Sequence, residues 1–329
     1  MGGDYGPPVT VAGALAALDA HPEIHVTFVG DPDQISTEIK NHRAETDRIA
    51  VVPSDGKISD DEHPVAALRR RPRSSIAVTT HLLKSGAADM AVSVGSTGAT
   101  MAASVFALGL MEGLERPCIG GNFLGLAPDT TVIDLGSNVD CRPPQMVSFA
   151  ALGVAFSRHY LGIQSPRVAL LSVGEEAAKG NRQVQDTFTL LEKSHLNFVG
   201  NVEGMDFFTD KADVIVCDGF IGNILIKFAE GLGSVFRPFL QRQLASTFPE
   251  GAVTRITDAI WQSTNLPRTM GGPLFGINGL VMIGHGSSGP EGISGAIETG
   301  LLCHRIGLVN GFRQELSRLD MAIMLESGE

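Results

Sequence analysis

Short aliphatic runs alternating with stretches of helical spacing constrain this chain most: Ile24 to Val29, Ile49 to Val52, Met90 to Val94, Thr131 to Leu135, Val168 to Val173, Asp213 to Cys217 and Leu280 to Ile283. Most are apolar almost throughout, not at every second residue, which is how a strand reads when both faces of its sheet are covered. Such strands separated by helices form βαβ units, so the pattern predicts an α/β protein with a mostly parallel sheet. Pro7 and Pro8 open the first helix, where the lost N–H had no partner within the helix anyway. No internal repeat, low-complexity tract or long linker interrupts residues 1–329, so one domain is expected. The charged stretch Ser54 to Arg73 is predicted to be an exposed excursion.

In open α/β sheets, ligands bind beyond the carboxyl ends of the strands. Those ends are glycine-rich here. Gly95-Ser96-Thr97-Gly98 follows one run, Gly136-Ser137-Asn138-Val139-Asp140 another, and Gly174-Glu175-Glu176 with Lys179 a third. Asp218-Gly219, Gly222-Asn223 and Gly284-His285-Gly286-Ser287 follow two more, and the chain opens on Met1-Gly2-Gly3-Asp4. Glycine lets the backbone approach a ligand, and a helix N-terminus behind it aims N–H groups at an anion. One such loop is as well explained by a turn; together they predict a polar rim that holds phosphate. The rim has neither GxxxxGK[ST] nor GxGxxG with its acidic partner, so a small phosphate substrate is expected and a nucleotide is not.

Two readings stand for each polar residue of the rim. Lys179 is either a cation for phosphate or a developing oxyanion, or a solvated surface lysine. Asn223 is either a substrate donor or the N-cap of a helix. Asn138 and Asp140 either touch substrate or close an Asx turn. His285 is a general acid–base or a neutral donor.

The formal net charge of −11 argues against a general nucleic-acid binder. Cys118, Cys141, Cys217 and Cys303 form no CxxC pair and the histidines no HExxH, so buried thiols are expected and no metal or other cofactor is implied. No run was expected to reach the roughly 20 apolar residues of a membrane span, and the N-terminus has no leader pattern, so a cytoplasmic protein is expected. From residue 224 to 265, apolar residues recur at helical spacing on both sides of Pro249-Glu250-Gly251, which predicts an inserted helical hairpin. Its apolar positions either pack inward or meet a partner. Phe236, Phe239, Phe248 and Trp261 with Arg237, Arg242 and Arg255 are the expected contacts with an anionic membrane and an acidic protein.

The motifs MGGDYGP (1 to 7), SVGSTGATMA (93 to 102), ERPCI (115 to 119), DLGSNVDC (134 to 141), PRVALLSVGEEAAKGN (166 to 181), VCDGFIGNILIK (216 to 227) and GGPLFGINGLVMIGHGSS (271 to 288) occur together. In this order the chain resembles the PlsX family of phosphate:acyl-[acyl carrier protein] acyltransferases. The resemblance implies a Rossmann-like three-layer α/β/α fold, related to the phosphate acetyltransferase and isocitrate dehydrogenase-like group, with a protruding hairpin and a homodimeric state. It implies conversion of acyl-[acyl carrier protein] and orthophosphate to acyl phosphate, peripheral contact with the membrane, and a glycerol-3-phosphate acyltransferase downstream. By motif position, the active-site lysine and asparagine fall on Lys179 and Asn223. Where the family usually has asparagine, this chain has Ser96, a donor and acceptor of shorter reach.

The alternatives are a short-chain acetyl- or butyryltransferase using coenzyme A, and a non-catalytic membrane-associated scaffold. The family motif around Gly2-Gly3-Asp4 normally follows an apolar strand. A strand position beside that loop, not filled by residues 1–329, is therefore expected.

Overall fold

The computed structural model describes residues 1–44, 47–122 and 124–319. Residues 1–329 were expected to form one domain; the chain instead divides into two compact units. Unit 1 is Met1–Met111 with Pro267–Val309, and unit 2 is Glu112–Leu266 with the segment from Asn310.

The first pass through unit 1 runs α1 (Pro7–Ala20), β1 (Val26–Gly30), α2 (Pro32–Asn41), β2 (Ile49–Pro53), α3 (Pro64–Arg70), α4 (Ser75–Lys84), β3 (Met90–Ser93) and α5 (Thr97–Leu108). Proline opens α1, α2 and α3, and the Asp31 carboxylate caps α2 by accepting from the amides of Asp33 and Gln34. Unit 2 follows with β4 (Cys118–Gly121), β5 (Thr131–Ile133), α6 (Pro143–Tyr160), β6 (Val168–Leu171), α7 (Arg182–Lys193), β7 (Phe198–Val202), β8 (Val214–Val216), α8 (Gly219–Leu244) and α9 (Glu250–Thr264). The chain then runs through α10 (Leu266–Met270), β9 (Gly272–Phe275), β10 (Leu280–Ile283), α11 (Pro290–Arg305) and α12 (Leu308–Leu316).

In unit 2 the strand order is β4-β5-β8-β6-β7, parallel except for β4. Helix α6 packs on β5 and β8, and every residue from Gln145 to Ser157 is buried. In unit 1, β1 pairs in parallel with β2, while β3 pairs in parallel with β10 and β10 antiparallel with β9. Helices α1 and α11 meet at Gly13, where a Cβ would lie 2.4 Å from the Pro290 carbonyl oxygen; only glycine allows this approach.

The strand runs read from the sequence all contain strands, generally with shorter bounds. Strands β4 and β9 were not anticipated, because CIGG and GPLF carry glycine or proline in four residues. Nor was β7, whose FVGNV is interrupted by Gly200 and Asn201. The stretch Ser54 to Arg73 is only partly the exposed excursion expected of it. It contains α3, and Ile58, Ala67 and Leu68 are buried against Ile76, Ala99 and Ala103; its charges stay outside, with Glu62 paired to Arg71.

The residue 224–265 region forms two helices that pack on each other, and α8 begins earlier, at Gly219. At Gly233 a Cβ would lie 1.9 Å from Thr264 Oγ1, so glycine sets how closely α8 approaches the end of α9. Helix α8 has 26 residues, and its most apolar 18-residue stretch has a mean hydropathy of 1.2, which is enough to cross a membrane by length and composition alone and corrects the expectation that no segment is. It carries Lys227, Glu230, Arg237, Pro238 and Arg242, and α9 lies along it, as suits an amphipathic hairpin helix.

Candidate active site

In unit 2 the loop after β5 is organised by Asp134. Its carboxylate accepts from the backbone N–H of Gly136, Ser137 and Asn138 (3.2, 2.9 and 2.8 Å), from the Ser137 hydroxyl, and from Asn138 Nδ2 at 2.8 Å. Burial pushes the Asp134 carboxyl above its usual range, against the pull of these donors. Ser137 Oγ also accepts from the Ile119 amide at 2.7 Å, which ties the loop to β4. Asn138 is 2% exposed, and Nδ2 donates as well to the Pro117 carbonyl at 2.9 Å. Its Nδ2 is thus engaged within the protein, as the Asx-turn reading expects, while Asp140 stands exposed.

Helix α8 starts on this loop. Asp218 is its N-cap, accepting from the Ile221 amide at 2.8 Å, so the capping role considered for Asn223 belongs to Asp218. The Gly219 amide donates to the Asn138 carbonyl at 2.8 Å. A Cβ on Gly222 would lie 1.8 Å from the Asp134 carbonyl oxygen, so Gly219 and Gly222 are the places where helix and loop touch. Asn223 is exposed on the first turns of α8, beside Gly136, whose φ of 121° favours glycine.

The loop after β6 carries Glu175, Glu176 and Lys179. The Lys179 amide donates to the Glu176 carbonyl at 2.9 Å, and its Cγ lies where a Cβ on Gly174 would clash, at 2.9 Å. Glu175 pairs with Lys211 at 2.5 Å, and Lys211 also pairs with Asp206 at 2.7 Å. Lys179 is exposed and has no ion pair among the described residues. Gln183 Nε2 on α7 donates to the Cys141 carbonyl at 2.6 Å, joining the two loops.

The thiols of unit 2 are buried, which disfavours their thiolate forms. Burial, then the Asp134 carboxylate, pushes Cys118 and Cys217 well above the usual thiol range and Cys141 up to about 12.

Unit 1 gathers Asp4, the Gly95–Gly98 loop and His285 with Ser287. The Asp4 amide donates to the Gly286 carbonyl at 2.8 Å, and a Cβ on Gly2 would lie 2.8 Å from the Gly95 nitrogen. Ser96 caps α5 by accepting from the Ala99 amide at 3.4 Å, and Thr97 is exposed at the helix start. A helix N-terminus of this kind suits an anion. His285 Nδ1 accepts from the Ser287 amide at 3.2 Å and lies 2.8 Å from its hydroxyl, which places the neutral ring's proton on Nε2. Lys57, within the excursion, donates to the Gly3 carbonyl at 3.0 Å.

Pattern reading missed Asp134, Ser137, Lys211 and Lys57. An Asp followed by Gly-Ser-Asn is a turn signal that could have singled out Asp134. Lys211 and Lys57 reach these loops from distant segments, and nothing in sequence marks them. In the hairpin, Phe236, Phe239 and Phe248 are exposed, as are Arg242 and Arg255. Arg237 instead pairs with Asp258 at 2.5 Å and lies 5.7 Å over the half-buried Trp261 ring, so these two residues hold the hairpin together. Among the described residues no group of acidic, histidine or cysteine side chains has metal-binding geometry.

Residues 1–305 match the family described as fatty acid synthesis protein. A phosphate acyltransferase from a Cyanothece species is 42% identical over 309 residues, covering 90% of this chain and 88% of that protein. One from Syntrophomonas wolfei is 40% identical over 321 residues, covering 97% of each. Among solved structures, the EutD phosphotransacetylase of Staphylococcus aureus superposes with a TM-score of 0.56 at 16% identity, covering 91% of this chain and 92% of that one, a likeness of fold alone. The chain belongs to the fatty acid synthesis protein family, a family of acyltransferases.

Proposed function

We propose that the protein transfers a fatty acyl group from acyl-[acyl carrier protein] to orthophosphate. The observation that carries the reading is the near end-to-end similarity to phosphate acyltransferases. It is supported by the exposed, unpaired Lys179 on a loop that already binds its neighbouring Glu175 elsewhere. A phosphate oxygen attacks the thioester carbonyl, the C–O bond forms, and the C–S bond breaks with its electron pair leaving on sulfur. A thiolate is a good leaving group, so little acid assistance is required. The Lys179 ammonium offsets the charge of phosphate and of the tetrahedral oxyanion, and the Asn223 amide donates to substrate oxygen. With the cysteines buried, direct attack by phosphate is favoured over a cysteine acyl-enzyme.

The hairpin is proposed to meet acyl carrier protein and an anionic membrane surface through Phe236, Phe239, Phe248, Arg242 and Arg255, giving a cytoplasmic protein held peripherally. A homodimer, and a glycerol-3-phosphate acyltransferase that consumes the product, complete the proposal. The test is incubation with palmitoyl-[acyl carrier protein] and orthophosphate, reading acyl phosphate by hydroxamate trapping and carrier thiol by titration. Stoichiometric appearance of both is expected. Turnover with acetyl-coenzyme A alone would replace the reading with the short-chain enzyme, and turnover with neither donor would leave a scaffold.

A further inference from the structure

The turn that carries Lys179 is gripped by two side-chain amides of unit 2. On one side, Asn201 Nδ2 donates to the Glu176 carbonyl at 3.0 Å, the same oxygen that the Lys179 amide reaches at 2.9 Å. On the other, Gln185 Nε2 donates to the carbonyls of Ala178 and Gly180 at 2.7 and 3.1 Å. The stem of Lys179 then folds back over Gly174, where the Glu176 carboxylate also lies: a Cβ there would be 2.9 Å from Lys179 Cγ and 3.1 Å from Glu176 Oε2. Where the ammonium group starts from is therefore set by how the backbone of residues 176–180 is held.

The two grips stand on different ground. Gln185 is exposed on α7, so water replaces its hydrogen bonds at small cost. Asn201 is 7% exposed on β7, opposite Leu170 in the β6–β7 register, and is one of the two residues that interrupt the strand pattern there. The Glu176 carbonyl only accepts, so it selects the NH2 end of the Asn201 amide. That leaves Oδ1 buried with no hydrogen-bond partner among the described residues. The Ser172 hydroxyl oxygen, 3.1 Å from where a Cβ on Gly180 would lie, is buried and without a partner among them in the same way. A buried strand position that only had to fill space is met at lower cost by an apolar side chain. What the amide adds is its bond to the turn.

We propose that Asn201 is a positioning residue for acyl transfer: from the buried strand β7 it fixes the Glu176 carbonyl, and through it the turn that aims Lys179 at phosphate. This rests on the reading of Lys179 as the cation of the reaction. Asn201 acts through the turn and needs no contact with substrate.

The test measures kcat/KM with palmitoyl-[acyl carrier protein] and orthophosphate, Tm and amide exchange for Asn201→Leu and Asn201→Ala, each alone and combined with Lys179→Ala. Leucine keeps the size of the side chain and alanine needs no added room, so at least one variant is expected to melt within about 5 °C of the parent. In that variant kcat/KM is expected to fall at least about tenfold, and exchange of the Lys179 amide to quicken at least about tenfold, while the amides of Ala169 and Leu170 on β6 stay as protected as in the parent. Added to Lys179→Ala, the same substitution is expected to change turnover less than about twofold, because no ammonium group is left to misplace. An equal fall in both backgrounds, or unchanged exchange at Lys179, overturns the proposal. If both variants melt further below the parent, or Ala169 and Leu170 lose protection as well, Asn201 serves the sheet and the proposal fails. Parent-like turnover of the Asn201 variants beside a crippled Lys179→Ala overturns this proposal alone, whereas parent-like turnover of Lys179→Ala overturns the reading of Lys179 on which it rests.

Discussion

Two pairs of strands, β5 and β8 in unit 2 and β1 and β3 in unit 1, are built from similar aliphatic residues yet end differently buried. In unit 2, every residue of β5 and β8 is buried. In unit 1, β1 leaves Thr27 exposed and Val26 and Val29 half-buried, and β3 buries only Ala91. Strand β8 has β5 and β6 on its two edges and α6 on a face, whereas among the described residues β1 pairs with β2 alone. An apolar run states what a strand can bury; neighbouring strands decide whether it does.

The sharpest way to break the unit 2 half of this comparison is Gly222→Ala. The added methyl would sit 1.8 Å from the Asp134 carbonyl oxygen, against backbone that α8 cannot leave without moving the Asp134 loop. A loss above about 4 kcal/mol is expected, read as insolubility or a collapsed urea midpoint. A soluble variant with unchanged unfolding would show that helix and loop separate freely.

Next in size is a matched pair of truncations. Ile215→Ala in fully buried β8 is expected to cost about 3 to 4 kcal/mol, and Val92→Ala on half-buried β3 only about 1 kcal/mol. Equal losses in urea unfolding would erase the distinction between a completed and an open-edged sheet.

A smaller effect is set by pH at the ends of β6 and β8, where Arg167 binds Asp213 through Nε and Nη2 at 3.0 and 2.8 Å. Burial raises the Asp213 carboxyl, but the Arg167 hydrogen bonds outweigh it and hold the pKa below the usual range. A depressed folded pKa adds stability that is present above the unfolded value of about 3.9 and is lost as pH falls through the folded one. Asp213→Asn should therefore cost about 1 to 2 kcal/mol at pH 7, and its deficit should shrink toward pH 3. A deficit that stays constant from pH 7 to pH 3 would remove the ion pair from the account.

Much of this was legible in the sequence. The strand runs carry a periodicity that burial on two faces imposes, and the glycines of the rim mark real close approaches, Gly219 and Gly222 among them. Strands β4 and β9 were illegible because four residues with glycine or proline carry no period. The two readings of Asn138 stayed open in the sequence because a polar side chain in a glycine-rich loop reads the same whether it faces substrate or Asp134. The division into two units was hidden because the return of the chain at β9 leaves no linker composition behind.

The functional claim is that the loop after β6, anchored on the completed sheet of unit 2, supplies the cation for acyl transfer. Lys179 is exposed, with its stem beside Gly174, so its side chain contributes little to the fold. The direct measurement is kcat/KM of Lys179→Ala with palmitoyl-[acyl carrier protein] and orthophosphate, taken beside its Tm. A fall of at least about 100-fold with Tm within about 2 °C of the parent is the expected result. Turnover within about threefold of the parent would contradict the claim and return Lys179 to the solvated surface.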